Sequence, residues 1–277
     1  MSAAPLRPFA VNTYSYIQDY SAEACLRQLA GLGASAFELM MYPGHCWPNE
    51  LDAAARRDLA RLLRENGWRL TTLNMPNVDL NIAAASAEMR QYSLDMLRGI
   101  VRLAGELGAP AVVLGPGKPN PLFPLAAETM MGWFFQALDA LVPLAEQAGT
   151  SLVVENMPFA FLPGAAELMD ALARYGHGGI GVVYDVANAV FIGEDLTQGF
   201  ARVQPRLRLV HLSDTGRGAY RHDPVGMGIV PFGDVPACLA AAGYRELCVL
   251  EIISRTPGTD LPSSARKLTE LGWTVTA

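Results

Sequence analysis

Four short apolar runs in this chain each end in a side chain that can ligate a cation. Ser151-Leu-Val-Val-Glu155 delivers a carboxylate, and Pro158 forbids the strand to go on pairing. Gly181-Val-Val-Tyr-Asp185, Leu207-Arg-Leu-Val-His211 and Leu247-Cys-Val-Leu-Glu251 repeat the pattern with a second carboxylate, an imidazole and a third carboxylate. Carboxylates are almost never fully buried unless paired, because desolvating a charge is costly. Three brought together would raise one another's pKa unless a cation compensated, and His211 adds a nitrogen donor. The chemistry implied is one divalent metal ion held by Glu155, Asp185, His211 and Glu251. Oxygen-rich ligation with one imidazole suits Mn²⁺, Mg²⁺ or Co²⁺ and permits Zn²⁺. Singly, a strand-end glutamate serves as readily in a salt bridge or a cap, and a lone histidine as a hydrogen-bonded structural group. Four at one strand level point to a metal.

Such convergence needs a scaffold that gathers strand ends around one mouth, and the rest of the chain supplies it. An apolar β-rich run, a polar or proline-containing loop, a helix-period stretch and a glycine recur eight times, the signature of βα units. Strand-like runs fall at 9–14, 36–41, 69–74, 111–114, 151–155, 181–185, 207–211 and 247–251. Helices are predicted from Ser21 to Leu32, up to Asn66-Gly67, up to Gly108, over 125–148, 164–175 and 195–203, up to Gly243, and over 263–271. In the third, Met89, Tyr92, Met96, Ile100, Leu103 and Leu107 make one apolar stripe at spacings of three and four. Eight cycles in 277 residues match an α/β fold of the (β/α)8 TIM barrel type, a single domain over residues 1–277. Functional groups of such barrels stand at the C-terminal strand ends and in the loops that follow, where the four ligands fall.

Composition excludes other classes. At 51% hydrophobic and 17% charged residues, the chain reads as a soluble protein with a large core. A net charge of −6 argues against a nucleic-acid or anionic-membrane surface, which draws its affinity from clustered Lys and Arg. Cys25, Cys46, Cys238 and Cys248 have no CxxC spacing and read as reduced, mostly buried thiols. With no apolar leader at the start and no uncharged run long enough to span a bilayer, a cytoplasmic protein is expected. Gly115-Pro-Gly-Lys118 has no P-loop pattern.

Val153-Val-Glu-Asn156, Val183-Tyr-Asp-Val-Ala-Asn188, Val210-His-Leu-Ser-Asp214, the His222-Asp-Pro-Val-Gly-Met-Gly228 loop and Val249-Leu-Glu251 carry a resemblance that covers almost the whole chain. It is to the xylose isomerase-like superfamily of sugar isomerases and epimerases, which also holds hydroxypyruvate isomerase, inosose dehydratase and endonuclease IV. In the ketose 3-epimerase branch, the residues matching Glu155, Asp185, His211 and Glu251 bind one divalent metal, and the two glutamates also handle protons. The resemblance thus implies Glu155 and Glu251 as a catalytic acid/base pair. Arg217 is similar to that branch's substrate-binding arginine and could hold a hydroxyl, a carboxylate or a phosphate; a solvated surface arginine is the alternative. His222 divides between a substrate loop and a structural role, and Asp214 between support of the ligands and a loop cap.

Departures narrow the family. Three residues after the strand-six aspartate, much of the superfamily has a histidine; Asn188 stands here, able to bond a sugar hydroxyl but a poor metal ligand. The endonuclease takes further histidine ligands where this chain has Asn74 and Gly115-Pro-Gly117, and an Asp-x-His pair where Tyr220 precedes Arg221-His222. A trinuclear zinc cluster, and DNA repair with it, is not expected. Glu38 reads as structural. Tyr14, Trp47 and Phe161 read as sugar walls or packing, and Met40, Met41, Met75 and Met157 as mouth lining or core filling.

The implied partner is a small sugar or sugar-like molecule, and a homo-oligomer is compatible with the sequence. The implied reaction removes a proton beside a carbonyl through a metal-bound enediolate. Return of a proton to the opposite face epimerises and return to the adjacent carbon isomerises. Loss of a β-hydroxyl would instead make an inosose or 3-dehydroshikimate dehydratase-like lyase. A sugar-binding protein without turnover is the remaining alternative.

Overall fold

In a strand, residues i and i+2 share a face, and this chain uses that spacing to build two storeys inside one barrel. The strands are β1 (Ala10–Asn12), β2 (Ala36–Met40), β3 (Arg69–Asn74), β4 (Ala111–Leu114), β5 (Ser151–Glu155), β6 (Gly181–Asp185), β7 (Leu207–Leu212) and β8 (Val249–Leu250). All pair in parallel in chain order, and β8 closes on β1. The computed structural model describes residue 6 and residues 8–76 and 79–273. Ala10, Ala36, Val153, Val183, Leu209 and Val249 belong to one buried cluster, the barrel floor. Two residues further along the same strands stand Asn12, Glu38, Glu155, Asp185, His211 and Glu251, all buried. The polar storey therefore lies one pleat above an apolar one.

A second, larger core fills the space between barrel and helices. The helices are α1 (Ala22–Gly31), α2 (Ala53–Glu65), α3 (Ala87–Leu107), α4 (Ala127–Ala148), α5 (Ala165–Tyr175), α6 (Val186–Ile192), α7 (Leu196–Val203), α8 (Val235–Ala241) and α9 (Pro257–Glu270). Ser21, Asp52, Ser86 and Asp195 cap α1, α2, α3 and α7 by accepting a backbone N–H three residues on. Gly108 and Gly149 end α3 and α4 at φ 71° and 72°, the left-handed turn that lets a helix stop and feed a strand.

Three details differ from the sequence expectation. A further short helix, α6, follows β6 directly, because Asp185 caps it. The last helix begins at Pro257 and runs through Pro262. Met89 and Tyr92 lie on the solvent side, 51% and 56% exposed, although Met96, Ile100, Leu103 and Leu107 are buried as the stripe predicts. At 21 residues, α3 is about 30 Å long and overhangs the far shorter strands beside it.

Two one-residue shifts of register break the regular pairing, at Phe37/Glu38 against β3 and at Val182/Val183 against β7. All four cysteines are free and buried. Among the described residues, no helix is long and apolar enough to cross a membrane.

Candidate metal centre and active site

Glu155, Asp185, His211 and Glu251 each offer a ligand atom, and those atoms lie within 4.8 Å of one another. The register shift in β6 is essential to this. It pairs Asp185 with His211; unshifted, Val210 would stand opposite, and the imidazole would project from the other face of the sheet.

Local hydrogen bonds aim the ligands. Asp185 Oδ1 accepts the Asn188 N–H at 2.7 Å and so caps α6, which leaves Oδ2 for the site. Asn188 donates its amide to Glu155 Oε1 at 3.3 Å and to the Asn156 carbonyl at 2.8 Å. Asn12 donates to Glu251 Oε1 at 3.1 Å. Each glutamate thus has one oxygen tethered by an asparagine. His211 Nδ1 lies 3.0 Å from Glu251 Oε2, 3.2 Å from Glu155 Oε1 and 3.8 Å from Asp185 Oδ2. Its Nε2 points the other way, 3.1 Å from Glu38.

Burial is the largest influence on these groups. It pushes Glu155 and Glu251 up to about 7 and Asp185 up to about 6; the His211 charge pulls all three back, and repulsion among the carboxylates adds to the rise. Burial also opposes charge on His211, but Glu38, Glu251 and Glu155 together carry it well above its usual value. Burial alone would raise Glu38, yet His211, Thr72 and Asn74 hold it below the ordinary range.

The residues fit a divalent cation. Asp185 Oδ2 and Asn188 Oδ1, both buried, have no hydrogen-bond partner, and Glu251 Oε2, also buried, meets only the imidazoles, His211 Nδ1 at 3.0 Å and His222 Nδ1 at 3.5 Å. Buried carboxylate oxygens so grouped around an imidazole nitrogen are a donor set that a cation completes.

A cavity of about 430 Å³ opens above the cluster and is lined by Glu155 and Glu251. Met40, Met75, Met157, Phe159 and Ile253 form its apolar wall, with Tyr14, Tyr220, His222 and Lys118 as polar members. Met40, Met75 and Met157 therefore line the mouth, whereas Met41 is core. Trp47 and Phe161 pack against the outer core. His222 is brought to the site: its Nδ1 meets Ser213 Oγ at 3.0 Å and its Nε2 meets the Tyr220 hydroxyl at 2.8 Å. Asn188 stands behind Glu155 and is not part of the lining. Arg217 is exposed beside Gly193 at the end of α6 and is not brought into the cavity.

Asp214 is a loop staple. It accepts the backbone N–H groups of Thr215, Gly226 and Val230 and bridges to Asp223, which folds the loop carrying Tyr220 and His222 over the mouth. Sequence reasoning singles out neither Tyr220 nor Asn12 as a site residue, and it reads Glu38 as structural. A signal for Asn12 and Glu38 exists in the i+2 rule, since they follow the floor residues Ala10 and Ala36 as Glu155 follows Val153.

The family model for the xylose isomerase-like TIM barrel matches residues 26–271. The chain belongs to that family. A curated relative, fructoselysine 3-epimerase of Escherichia coli O157:H7, is 22% identical over 240 residues, 84% of this chain and 86% of that protein. An uncharacterized protein of Methanocaldococcus jannaschii, MJ1614, is 25% identical over 167 residues. That match takes in 59% of this chain and only 63% of the relative's length. Among solved structures, a D-tagatose 3-epimerase-like protein superposes with a TM-score of 0.82 at 21% identity, covering 95% of this chain and 96% of the other. The IOLI protein with a binding zinc atom superposes at 0.79 and 15% identity, over 95% and 96%. At these identities the structural matches establish the barrel and its closure.

Proposed function

We propose that this chain is a divalent-metal-dependent epimerase or isomerase of a ketose or a sugar-like keto compound, with Glu155 and Glu251 as its acid/base pair. One observation carries the reading: Glu155, Asp185, His211 and Glu251 converge within 4.8 Å beneath a cavity that both glutamates line. Held by those four residues, the ion would stabilise negative charge developing on the substrate oxygen when a neighbouring C–H loses its proton.

The protein's own groups do the rest. Glu155 and Glu251 approach the cavity from β5 and from the end of β8, so a substrate seated between them meets a carboxyl group from two directions. One removes the proton beside the carbonyl, and the other returns a proton to the opposite face of the enediolate, inverting that centre. Asn188 and Asn12 hold the glutamates in place through their Oε1 atoms. With both His222 nitrogens engaged by Ser213 and Tyr220, the Tyr220 hydroxyl is the group of that pair that meets a substrate hydroxyl. The apolar wall excludes water and covers the carbon face of the sugar. The 3-epimerase names of a relative and of a structural neighbour support this choice of chemistry, and the zinc of another neighbour supports the ion.

The test is to load the protein with Mn²⁺ and incubate it in D₂O with free, phosphorylated and amine-linked ketoses. By NMR, deuterium should enter at the carbon beside the carbonyl as the epimer or isomer appears. Release of water with an unsaturated product would make the protein a dehydratase. No exchange with any compound, together with unchanged thermal stability on adding Mn²⁺, would leave the catalytic reading without support.

A further inference from the structure

In the same storey as the four candidate ligands, but not among the residues that line the cavity, lies the fully buried carboxylate of Glu38. It is surrounded by donors. His211 Nε2 stands 3.1 Å from either oxygen. Thr72 Oγ1 donates to one oxygen, and the Asn12 and Asn74 amides donate to the other. A carboxylate offers about four lone-pair positions on its two oxygens, and each meets a donor here. A side-chain amide in its place would turn its NH₂ toward a donor whichever way it rotated. Asn12 is not free to flip and compensate, because its Oδ1 already accepts the Tyr14 N–H at 2.7 Å. The register shift after Phe37 contributes as well: it sets Glu38 opposite Thr72 rather than Thr71.

We propose that Glu38 is the positioning carboxylate of the metal centre: it accepts the Nε2–H of His211, so that Nδ1 presents its lone pair to the ion, and through Asn12 it fixes Glu251. Which imidazole nitrogen ligates a metal is set by the hydrogen bond the other one makes. Glu38 is fully buried and is not among the residues lining the cavity, so it acts through His211 and through Asn12, which bonds Glu38 and Glu251 at once. The role rests on the proposed metal centre.

The experiment compares wild type with Glu38→Gln, using Mn²⁺ titration calorimetry and the ¹⁵N spectrum of histidine-labelled, Zn²⁺-loaded protein. Wild type should bind Mn²⁺ and show His211 protonated at Nε2 and metal-bound at Nδ1. Glu38→Gln should keep the wild-type circular dichroism, bind Mn²⁺ about 10–100-fold more weakly, and show a displaced Nε2 resonance. Equal Mn²⁺ affinity in the two proteins would overturn the positioning role while leaving the metal centre standing. Zinc bound at Nε2 in wild type would overturn the role without recourse to any variant, so the proposal stays testable even if Glu38→Gln fails to fold. Wild type that binds no divalent ion would remove the metal centre and this role together.

Discussion

Among the described residues, Glu251 and Glu155 are the carboxylates that are buried, belong to the cluster able to hold a cation and line the cavity at once. Replacing either by glutamine keeps the volume but removes the ability to carry a proton. Glu251→Gln should therefore slow exchange of the substrate proton by about 10²–10⁴-fold while the far-ultraviolet spectrum stays that of wild type. Exchange at the wild-type rate would refute the acid/base assignment. His211→Ala is expected to act on the ion instead. It removes a proposed ligand and one of the donors to Glu38, so Mn²⁺ affinity should fall by more than the roughly 10–100-fold typical of an outer partner. Calorimetry against the same titration of wild type decides this.

Under the proposed reading, the elements divide the labour between strands that would hold the cation and the loop that would meet the substrate. The four candidate ligands sit within one residue of a strand end, whereas Tyr220 and His222 ride on the loop after β7. Asp214 shapes that loop by taking three backbone N–H groups, and Gly228 packs so tightly that an added Cβ would fall 2.2 Å from the Thr215 carbonyl oxygen. Asp214→Ala should leave buried donors unpaired, at about 1–3 kcal/mol each. It should raise KM for whichever ketose proves to be the substrate while changing Mn²⁺ affinity little. Mn²⁺ binding lost to the extent expected for His211→Ala would show that the loop holds the ligands too. Gly228→Ala should share the KM effect, since the clash displaces the same loop.

For the molecule as a whole, the polar storey is a source of instability that a bound cation would relieve. Glu155 and Glu251 rise from an ordinary 4.5 to about 7 on folding, and Asp185 from 3.8 to about 6, chiefly through burial. The folded metal-free protein therefore binds protons that the unfolded chain releases. That stabilisation is complete below about pH 4 and is lost as pH rises through about 7. His211, also raised, acts with the same sign; Glu38, lowered, acts oppositely and only as pH falls below 4.5. A tenfold change in the acidity of one group on folding is worth about 1.4 kcal/mol, and about 1 kcal/mol moves Tm by about 2–4 °C in a domain near this size. The chelator-treated protein should accordingly melt lower at pH 8 than at pH 5 by at least about 5 °C. Mn²⁺ should raise Tm more at pH 8 than at pH 5, because its ligands must be deprotonated. Calorimetric scans showing the same Tm at both pH values without metal would contradict this account.

The barrel was legible in the sequence because its cause is local. Eight apolar runs alternate with helix-period stretches, and the glycines after α3 and α4 mark where helices must stop. The convergence of Glu155, Asp185, His211 and Glu251 was legible for the same reason, since each ends a run two residues after a floor residue. What the tertiary structure alone decided is neighbourhood across the barrel. Glu38 and Asn12 look like ordinary strand polars until closure sets β2 and β1 across from His211 and beside Glu251. Arg217 resembles a substrate arginine in sequence, and only the fold shows that it stands exposed beside Gly193, outside the cavity lining. Met89 and Tyr92 continue the apolar stripe of α3 until the helix outruns the sheet. Above all, the one-residue shift between β6 and β7 that puts His211 in line with Asp185 leaves no mark in either strand's composition. Register is an energy of pairing between two segments, and neither segment carries it alone.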